Sequence, residues 1–545
     1  MDPVKEARRK IADLDPGRRN VFFFLPADFL YSFEALVAKH TEAWPAGQSR
    51  LFLFFFPDPE IFLSLLQLRN LAFLRPHLPS IRISVSGWSD FDWESLPFTE
   101  IKGVERIENH ALKGLFPVET ERVWGSYHHA VREWFRSGLT QFYFEKLWLK
   151  NALRNLLNPR PLLSFEALRR SHLGESCMVI AAGPSLYSTI PLFKKIRETT
   201  TLIACDTALR PLLLAGIEPH FVVALDGGFY NSLDYDRTPG PETVLLTDIA
   251  ASPALLSRHS GPVFLFRRAA EGEGAESLDL RRAVTETFAL GPAMPVLSTS
   301  GHIAQTALAV AREMGFANIG LAGIDLSYPF LESHAVSTCH SIYYHRRQDR
   351  FRTIPTQDFE ILRHRVKMLV PSDAGNFNPA EPSMSEQAVY LKEWMSLHRD
   401  ISFEIVKRFG QTMAGFSYFN EDAIGNGGVV SAKKSVSKVT PSDPGEILQP
   451  AARRTRGNEI LAGLERISQL ITATTQEQAA SGDGFDAGLR AETEKIPFLR
   501  EAMSFLLVAS SRRKSDSPET KRLAFRRELE KQVAITSRVI RAALN

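Results

Sequence analysis

The chain has 545 residues, with 65 Lys and Arg against 62 Asp and Glu and a formal net charge of +3. This length predicts two to four domains, and such a balanced charge argues against nucleic acid as a partner. The three cysteines lie far apart and form no CxxC pair, so neither a disulfide framework nor a structural zinc site is indicated.

The first twenty residues are charged and polar, unlike a signal peptide. The most apolar runs, 21–25 and 51–56, are far too short to cross a bilayer. We therefore expect a cytoplasmic protein with no membrane span.

Residues 1–165 are predicted to form an N-terminal α/β domain. Runs rich in Phe, Leu, Ile and Val at 21–25, 51–56 and 81–85 are typical of buried strands separated by helices. The turn at 26–29, Pro-Ala-Asp-Phe, has no glycine to approach a phosphate. A scaffold or interaction role is therefore favoured over a second nucleotide site. The following segment, 104–157, is predicted to be helical.

Residues 166–425 are predicted to form a Rossmann-like central domain with an open α/β sheet, which binds ligands at the carboxyl ends of its strands. Helices are predicted at 186–196, 208–215 and 303–314, with Gly216 ending the second. The predicted strands are 178–181, 201–205, 221–225, 243–246, 263–266 and 319–322.

The first of these strands leads into Gly183, Pro184 and Ser185 and then into a predicted helix. Gly183 permits close backbone approach, Pro184 suits a first helical turn, and Ser185 adds a hydroxyl donor. The N–H groups and dipole of a helix start favour an anion. The sequence therefore predicts a phosphate-type site at this turn.

Four carboxylates, Asp206, Asp226, Asp248 and Asp325, each stand at or just after the end of an apolar strand. They should therefore gather on one rim of the sheet beside the turn. A single Asp after a strand is usually a helix cap or a turn residue, and Asp248 fits that role best. Four on one edge favour a binding or catalytic rim.

A second polar helix start, Ser-Thr-Ser-Gly-His at 298–302, suits sugar hydroxyls or phosphate, although Ser298 and Thr299 taken singly fit a capping role better. The polar, aromatic and basic segment after Asp325 is typical of a lid or acceptor loop. Within it His334 and His340 are candidates for a general base or a phosphate ligand, against the ordinary alternative of exposed histidines.

Residues 426–457 are predicted to be a polar linker, and 458–545 a C-terminal helical domain with apolar stripes. The Arg and Lys residues of that tail are typical of a solvated face, with a docking surface for a protein acceptor as the alternative.

Four segments together resemble the motility-associated factor (Maf) proteins, flagellin glycosyltransferases whose central domain is related to 6-hydroxymethylpterin diphosphokinases. The segments are 179–186, 203–209, 215–226 and 315–328, and their order and spacing match too. The same core is similar to that of bacterial sialyltransferases that use CMP-sialic acid. The resemblance implies a sialyltransferase-like central domain flanked by the α/β and helical domains.

The resemblance also implies roles for individual residues. His334 would be the catalytic base, with His340 as the alternative, and Asp226 would act beside it on the donor or a metal. The residues expected to bind the nucleotide sugar are Gly183, Pro184, Ser185, Asp206, Thr207, Ser300, Gly301, Gly323, Ile324 and Asp325.

The leading hypothesis is a glycosyltransferase that moves a nonulosonic acid, of pseudaminic or legionaminic type, from its CMP donor to Ser or Thr of flagellin. One alternative is a pyrophosphokinase using ATP and Mg²⁺, with Asp206 and Asp226 as metal ligands; the sequence has no Walker-type motif to support it. Another is a non-catalytic flagellin-binding assembly factor.

Overall fold

The computed structural model describes residues 2–12, 14, 19–40, 50–93, 96, 101, 103–269, 280–288, 290, 294–298, 302–341, 346, 348–406, 409–419, 449–477, 496 and 518–544. The chain divides into two compact units, Met1–Phe144 and Glu145–Asn545. None of the helices in these ranges is long and apolar enough to cross a membrane.

Unit 1 is built on strands β1 (Val21–Phe24), β2 (Leu51–Phe56), β3 (Ile81–Val85) and β4 (Val104–Ile107). They form a parallel sheet in the order β3-β2-β1-β4. β1 and β2 are buried along their whole length because apolar side chains pack on both faces of the sheet. The helices are α1 (Pro3–Ala12), α2 (Tyr31–His40), α3 (Pro59–Leu68), α4 (His110–Leu115), the 3₁₀ segment Ala72–Ser80 and the first part of α5 (Pro117–Leu156).

The helical prediction for 104–157 is wrong at its start. β4 pairs in parallel with β1, and the Leu25 N–H donates to the Ile107 carbonyl at 3.0 Å. The open side of β1 would otherwise leave buried backbone groups without partners, so sheet pairing overrides the local pattern.

Unit 2 contains a ten-stranded sheet whose pairs are all parallel. Its strands are β5 (Leu163–Ser164), β6 (Ser176–Ile180), β7 (Thr201–Cys205), β8 (Phe221–Ala224), β9 (Val244–Asp248), β10 (Val263–Ala269), β11 (Val296–Ser298), β12 (Asn318–Ala322), β15 (Ser402–Ile405) and β16 (Ser417–Tyr418), and a separate antiparallel hairpin is formed by β13 (Met368–Pro371) and β14 (Phe377–Ala380).

The strand order is β11-β10-β9-β8-β7-β6-β12-β15-β16, with β5 beside β10. From β6 the chain builds outward to β11 and then returns to place β12 on the other side of β6. This reversal is a topological switch point, where open α/β sheets form a crevice beyond the carboxyl ends of their strands. The predicted Rossmann-like α/β fold class is confirmed.

The helices of unit 2 cover this sheet. The predicted helices at 186–196 and 303–314 are confirmed at those bounds, and Gly216 and Gly315 end their helices at φ values of +74° and +94°. The set is α6 (Leu186–Ile196), α7 (Asp206–Leu214), α8 (Pro253–Arg258), α9 (Leu280–Thr287), α10 (Ile303–Met314), α11 (Ile354–Arg365), α12 (Pro382–Leu397), α13 (Pro450–Glu477) and α14 (Pro518–Leu544).

The last two helices belong to the core of unit 2. Their apolar side chains join one buried cluster with residues of β8, β9 and the end of α5. Arg453, 3% exposed, donates from its guanidinium to the carbonyls of Leu156, Asn158 and Arg160. The amphipathic stripes thus pack on the sheet layer.

The bounds of the units and elements differ from the expected domain limits. The two units divide at 144/145, within α5, where the sequence suggested 165. α13 begins at Pro450, inside the expected linker 426–457, and residues 420–448 lie outside the described residues.

Candidate functional site

Two backbone turns meet at the switch point between β6 and β12. The Gly183 N–H donates to the Gly323 carbonyl at 2.8 Å, and the Ser185 N–H donates to Oδ2 of Asp325 at 2.8 Å. A Cβ on Gly183 would lie 2.6 Å from the Gly323 carbonyl oxygen and 2.8 Å from Cγ of Asp325. Only glycine fits at position 183, because the approach of the two loops leaves no room for a side chain.

Asp325 is the buried centre of this junction, with 5% of its surface exposed. Its carbonyl accepts from the Gln411 N–H at 2.7 Å, and a Cβ on Gly410 would lie 2.8 Å from Oδ1. Burial raises the pKa of Asp325, and the bond from Ser185 opposes this. The Gly183 and Ser185 N–H groups, expected to meet a phosphate, therefore donate within the protein. Nucleotide contact by Gly183, Pro184 and Ser185 stays a prediction.

Asp206 is the first residue of α7 and only 3% exposed. Its Oδ1 accepts from the Thr207 N–H at 2.8 Å and from the Thr207 hydroxyl at 3.3 Å. Burial, followed by the nearby carboxylates Asp226 and Asp234, raises the pKa of Asp206 to about 7. A carboxyl group whose pKa is raised this far by burial and neighbouring charges is typical of a functional site.

The two remaining rim carboxylates have opposite environments. Asp226 is exposed, and its carbonyl accepts from the Ser252 N–H at 2.9 Å. Asp248 is fully buried; it accepts from the Ala250 N–H at 2.8 Å and from both the backbone N–H and Nε of Arg268 at 3.2 Å. Asp248 thus has the structural role expected of a turn residue and also pairs with Arg268. The catalytic role of Asp226 stays a prediction.

The loop after β12 places a pair of histidines at the same edge. The rings of His334 and His340 stack with centroids 4.1 Å apart and planes 11° apart. The Ala335 N–H donates to the Ala182 carbonyl at 2.8 Å, which fixes this loop next to the turn after β6. Burial and then His340 lower the pKa of His334 to about 3. Burial also lowers the pKa of His340, opposed by Asp226. Both imidazoles are therefore neutral at pH 7.

The same loop holds four non-glycine residues with left-handed backbone conformations. Leu326, Phe330, Leu331 and Ser337 have φ values of 46°, 58°, 63° and 76°. Such conformations cost of order 1–3 kcal/mol each and concentrate at functional sites. The prediction of a lid or acceptor loop in this segment agrees with these conformations and stays a prediction.

Sequence reasoning missed Asp234, which is fully buried in the 3₁₀ turn Tyr230–Tyr235. Its Oδ1 accepts from the Cys339 N–H at 2.7 Å, and burial raises its pKa to about 6. Arg210 on α7 adds a second tie, since it donates to Asp236 at 2.8 Å and to the Ser337 carbonyl at 2.7 Å. No periodic pattern in the sequence marks Asp234.

Parts of the second polar helix start can be placed. Ser298 lies in β11, and the carbonyl of His302, which caps α10, accepts from the Thr306 N–H at 3.0 Å. Ser300 and Gly301 lie outside the described residues, so their binding role stays a prediction.

Apart from Ser300 and Gly301, the predicted site residues lie at one edge of the sheet. Ile324 is half-buried and packs on the apolar cluster beneath it. Within the ranges described, no three His, Cys, Asp or Glu residues are placed to hold a metal ion. The residues at this edge are Gly183, Pro184, Ser185, Asp206, Thr207, Asp226, Gly323, Ile324, Asp325, His334 and His340.

Comparison with known proteins finds a family model that matches the central segment. Residues 149–330 match the family model described as 6-hydroxymethylpterin diphosphokinase MptE-like. An uncharacterized protein of Treponema pallidum (strain Nichols) is 28% identical over 114 residues, which are 21% of this chain and 53% of that protein. The chain thus spans about half the length of this relative.

The chain is similar in fold to a solved structure, the MAf glycosyltransferase from Magnetospirillum magneticum AMB-1. The TM-score is 0.55 at 13% sequence identity, covering 100% of this chain and 83% of the other. Together with the family match, this likeness confirms the resemblance to Maf proteins with an MptE-like central domain.

We expect Gly183→Ala to destabilise unit 2, because the new Cβ forces Asp325 and the Gly323 carbonyl apart. Overpacking of this kind costs about 1–3 kcal/mol. Gly228→Ala is the matched control, since a Cβ there meets nothing within 4 Å. Thermal unfolding should show a lower Tm for Gly183→Ala alone; equal Tm values for both variants would contradict the proposed packing.

Asp206 should make the protein less stable as the pH rises. Its folded pKa of about 7 lies above the usual value of 3.8, so the folded state binds more protons between these pH values and stability falls across that range. Asp206→Asn removes this dependence. The Tm difference between pH 5 and pH 8 should shrink in Asp206→Asn and stay unchanged in Glu198→Gln, an exposed control. An unchanged pH profile for Asp206→Asn would refute the raised pKa.

Proposed function

We propose that the protein is a glycosyltransferase that moves a nonulosonic acid of pseudaminic or legionaminic type from a CMP donor to Ser or Thr hydroxyls of flagellin. The observation that carries the proposal is the neutral histidine pair His334–His340 beside the exposed Asp226, at the switch point of the sheet. The shared fold with a MAf glycosyltransferase supports it.

The nucleotide would lie in the crevice beyond β6 and β12. The groups proposed to meet it are the Ser185 and Thr207 hydroxyls and the backbone of 323–325, with the Gly183 turn held in place by Asp325. CMP is a good leaving group once its phosphate is held by the protein. Holding the donor and the acceptor in the right geometry also lowers the barrier, because the two no longer have to meet in solution.

In the proposed reaction the acceptor oxygen attacks the anomeric carbon of the sugar with inversion. The bond from that carbon to the CMP phosphate oxygen breaks and its electron pair leaves with CMP. The acceptor proton goes to the histidine pair. Asp226 favours the protonated form of His340, whereas the pKa of His334 is lowered to about 3. This favours His340 over His334 as the base, because the best base has a pKa near the working pH.

A Mg²⁺-dependent pyrophosphokinase is the second candidate, since the family model that matches 149–330 is described by that activity.

Thermal unfolding of the purified protein with each nucleotide distinguishes the glycosyltransferase from the pyrophosphokinase. A ligand at 100 times its Kd stabilises the folded state by about 2.7 kcal/mol. CMP should raise Tm and ATP with Mg²⁺ should not; the opposite result would favour the kinase, and no shift with either would favour a non-catalytic flagellin-binding factor.

We expect His340→Gln to lower kcat for sugar transfer to flagellin by roughly 10²- to 10⁴-fold, the usual contribution of a general base. His334→Gln should lower it less. His110→Gln, whose side chain is 82% exposed in unit 1, is the control. The measurement is the mass of flagellin incubated with donor and each variant. If His340→Gln and His334→Gln both transfer sugar like the wild type, the assignment of the base is wrong.

A further inference from the structure

Two buried asparagines on the last turns of α5 contact the loops at the catalytic edge. Asn151 is 3% exposed and Asn155 is fully buried, and they lie one helical turn apart. Nδ2 of Asn151 donates to the carbonyls of Gly227 and Ala250 at 3.0 and 3.1 Å. Each of these bonds satisfies a buried carbonyl in a loop that leaves the sheet.

Asn155 also donates two hydrogen bonds, but to different backbone carbonyls. Its Nδ2 donates to the carbonyls of Ile249 and Ala251, both at 2.8 Å. Both acceptors belong to the loop after β9. Asn155 therefore fixes that loop alone, whereas Asn151 joins it to the loop after β8.

The loop after β8 carries Asp226, and its backbone is held at two successive carbonyls. The Asp226 carbonyl accepts from Ser252 and the Gly227 carbonyl accepts from Asn151. A Cβ on Gly227 would lie 2.9 Å from Nδ2 of Asn151 and 3.0 Å from the Ala250 carbonyl oxygen. The peptide next to the exposed carboxylate thus has little freedom to move.

We propose that Asn151 is a positioning residue that holds the Asp226 carboxylate toward the histidine pair. The proposal rests on the proposed function for the role of Asp226 in catalysis. An exposed carboxylate can rotate away from its partner, so its productive placement depends on a fixed backbone beneath it. Misplacement of a catalytic group by about 1 Å can cost 10²-fold in rate.

The test compares Asn151→Leu with Asn155→Leu, each nearly isosteric and each removing two donor bonds from the same helix. Both should lower Tm by similar amounts, because each leaves two buried carbonyls unpaired. Asn151→Leu should lower kcat for transfer at least 10-fold with KM for the donor unchanged. Asn155→Leu should keep kcat within about twofold of the wild type.

Hydrogen–deuterium exchange of the two variants gives a readout that needs no activity. Asn151→Leu should speed exchange in the peptide spanning 225–230, and Asn155→Leu should speed it only in the peptide spanning 248–252. Unchanged exchange at 225–230 in Asn151→Leu, or equal losses of kcat in the two variants, would overturn the proposal. If wild-type protein transfers no sugar, the proposed function fails, and the exchange comparison still decides whether Asn151 holds the loop.

Discussion

A buried hydrogen bond between a carboxylate and a backbone amide organises the central sheet. Asp325 accepts from the Ser185 N–H across the point where the strand order reverses, and no side chain at 183 could share that space. Breaking such a bond leaves a buried charge or donor unpaired, which costs more than the bond itself contributes. The turn after β6 and the loop after β12 meet at this contact, and separate bonds from the Ala335 and Cys339 N–H groups fix the histidine segment.

The negative charge at the site is smaller than that of four ionised aspartates. Asp248 forms an ion pair with Arg268 at 3.2 Å, and burial raises the pKa of Asp325 and raises that of Asp206 to about 7. The histidines beside them are neutral, and Asp226 is the exposed carboxylate among the four. An anionic ligand would therefore meet less repulsion here than from four ionised aspartates, because like charges in a poorly solvated rim favour protonation of one of them.

Much of this edge could be predicted from the sequence, because strand ends are local features. An apolar run followed by Gly183 or by Asp206 marks the carboxyl end of a strand without knowledge of the fold. The missing parts depend on distant partners. β4 is a strand because it pairs with β1. Asn151 and Asp234 have roles only through carbonyl and amide groups 76 to 105 residues away. Local patterns carry no trace of such contacts.

Arg453 has a consequence for how unit 2 assembles. Its guanidinium satisfies carbonyls that precede it by 293 to 297 residues, and α13 and α14 fill the same apolar cluster as β8 and β9. Contacts of such sequence separation form slowly because loop closure precedes the gain from packing. During synthesis the part of this apolar cluster that α13 and α14 cover thus stays exposed until they arrive, and transiently exposed apolar surface favours aggregation.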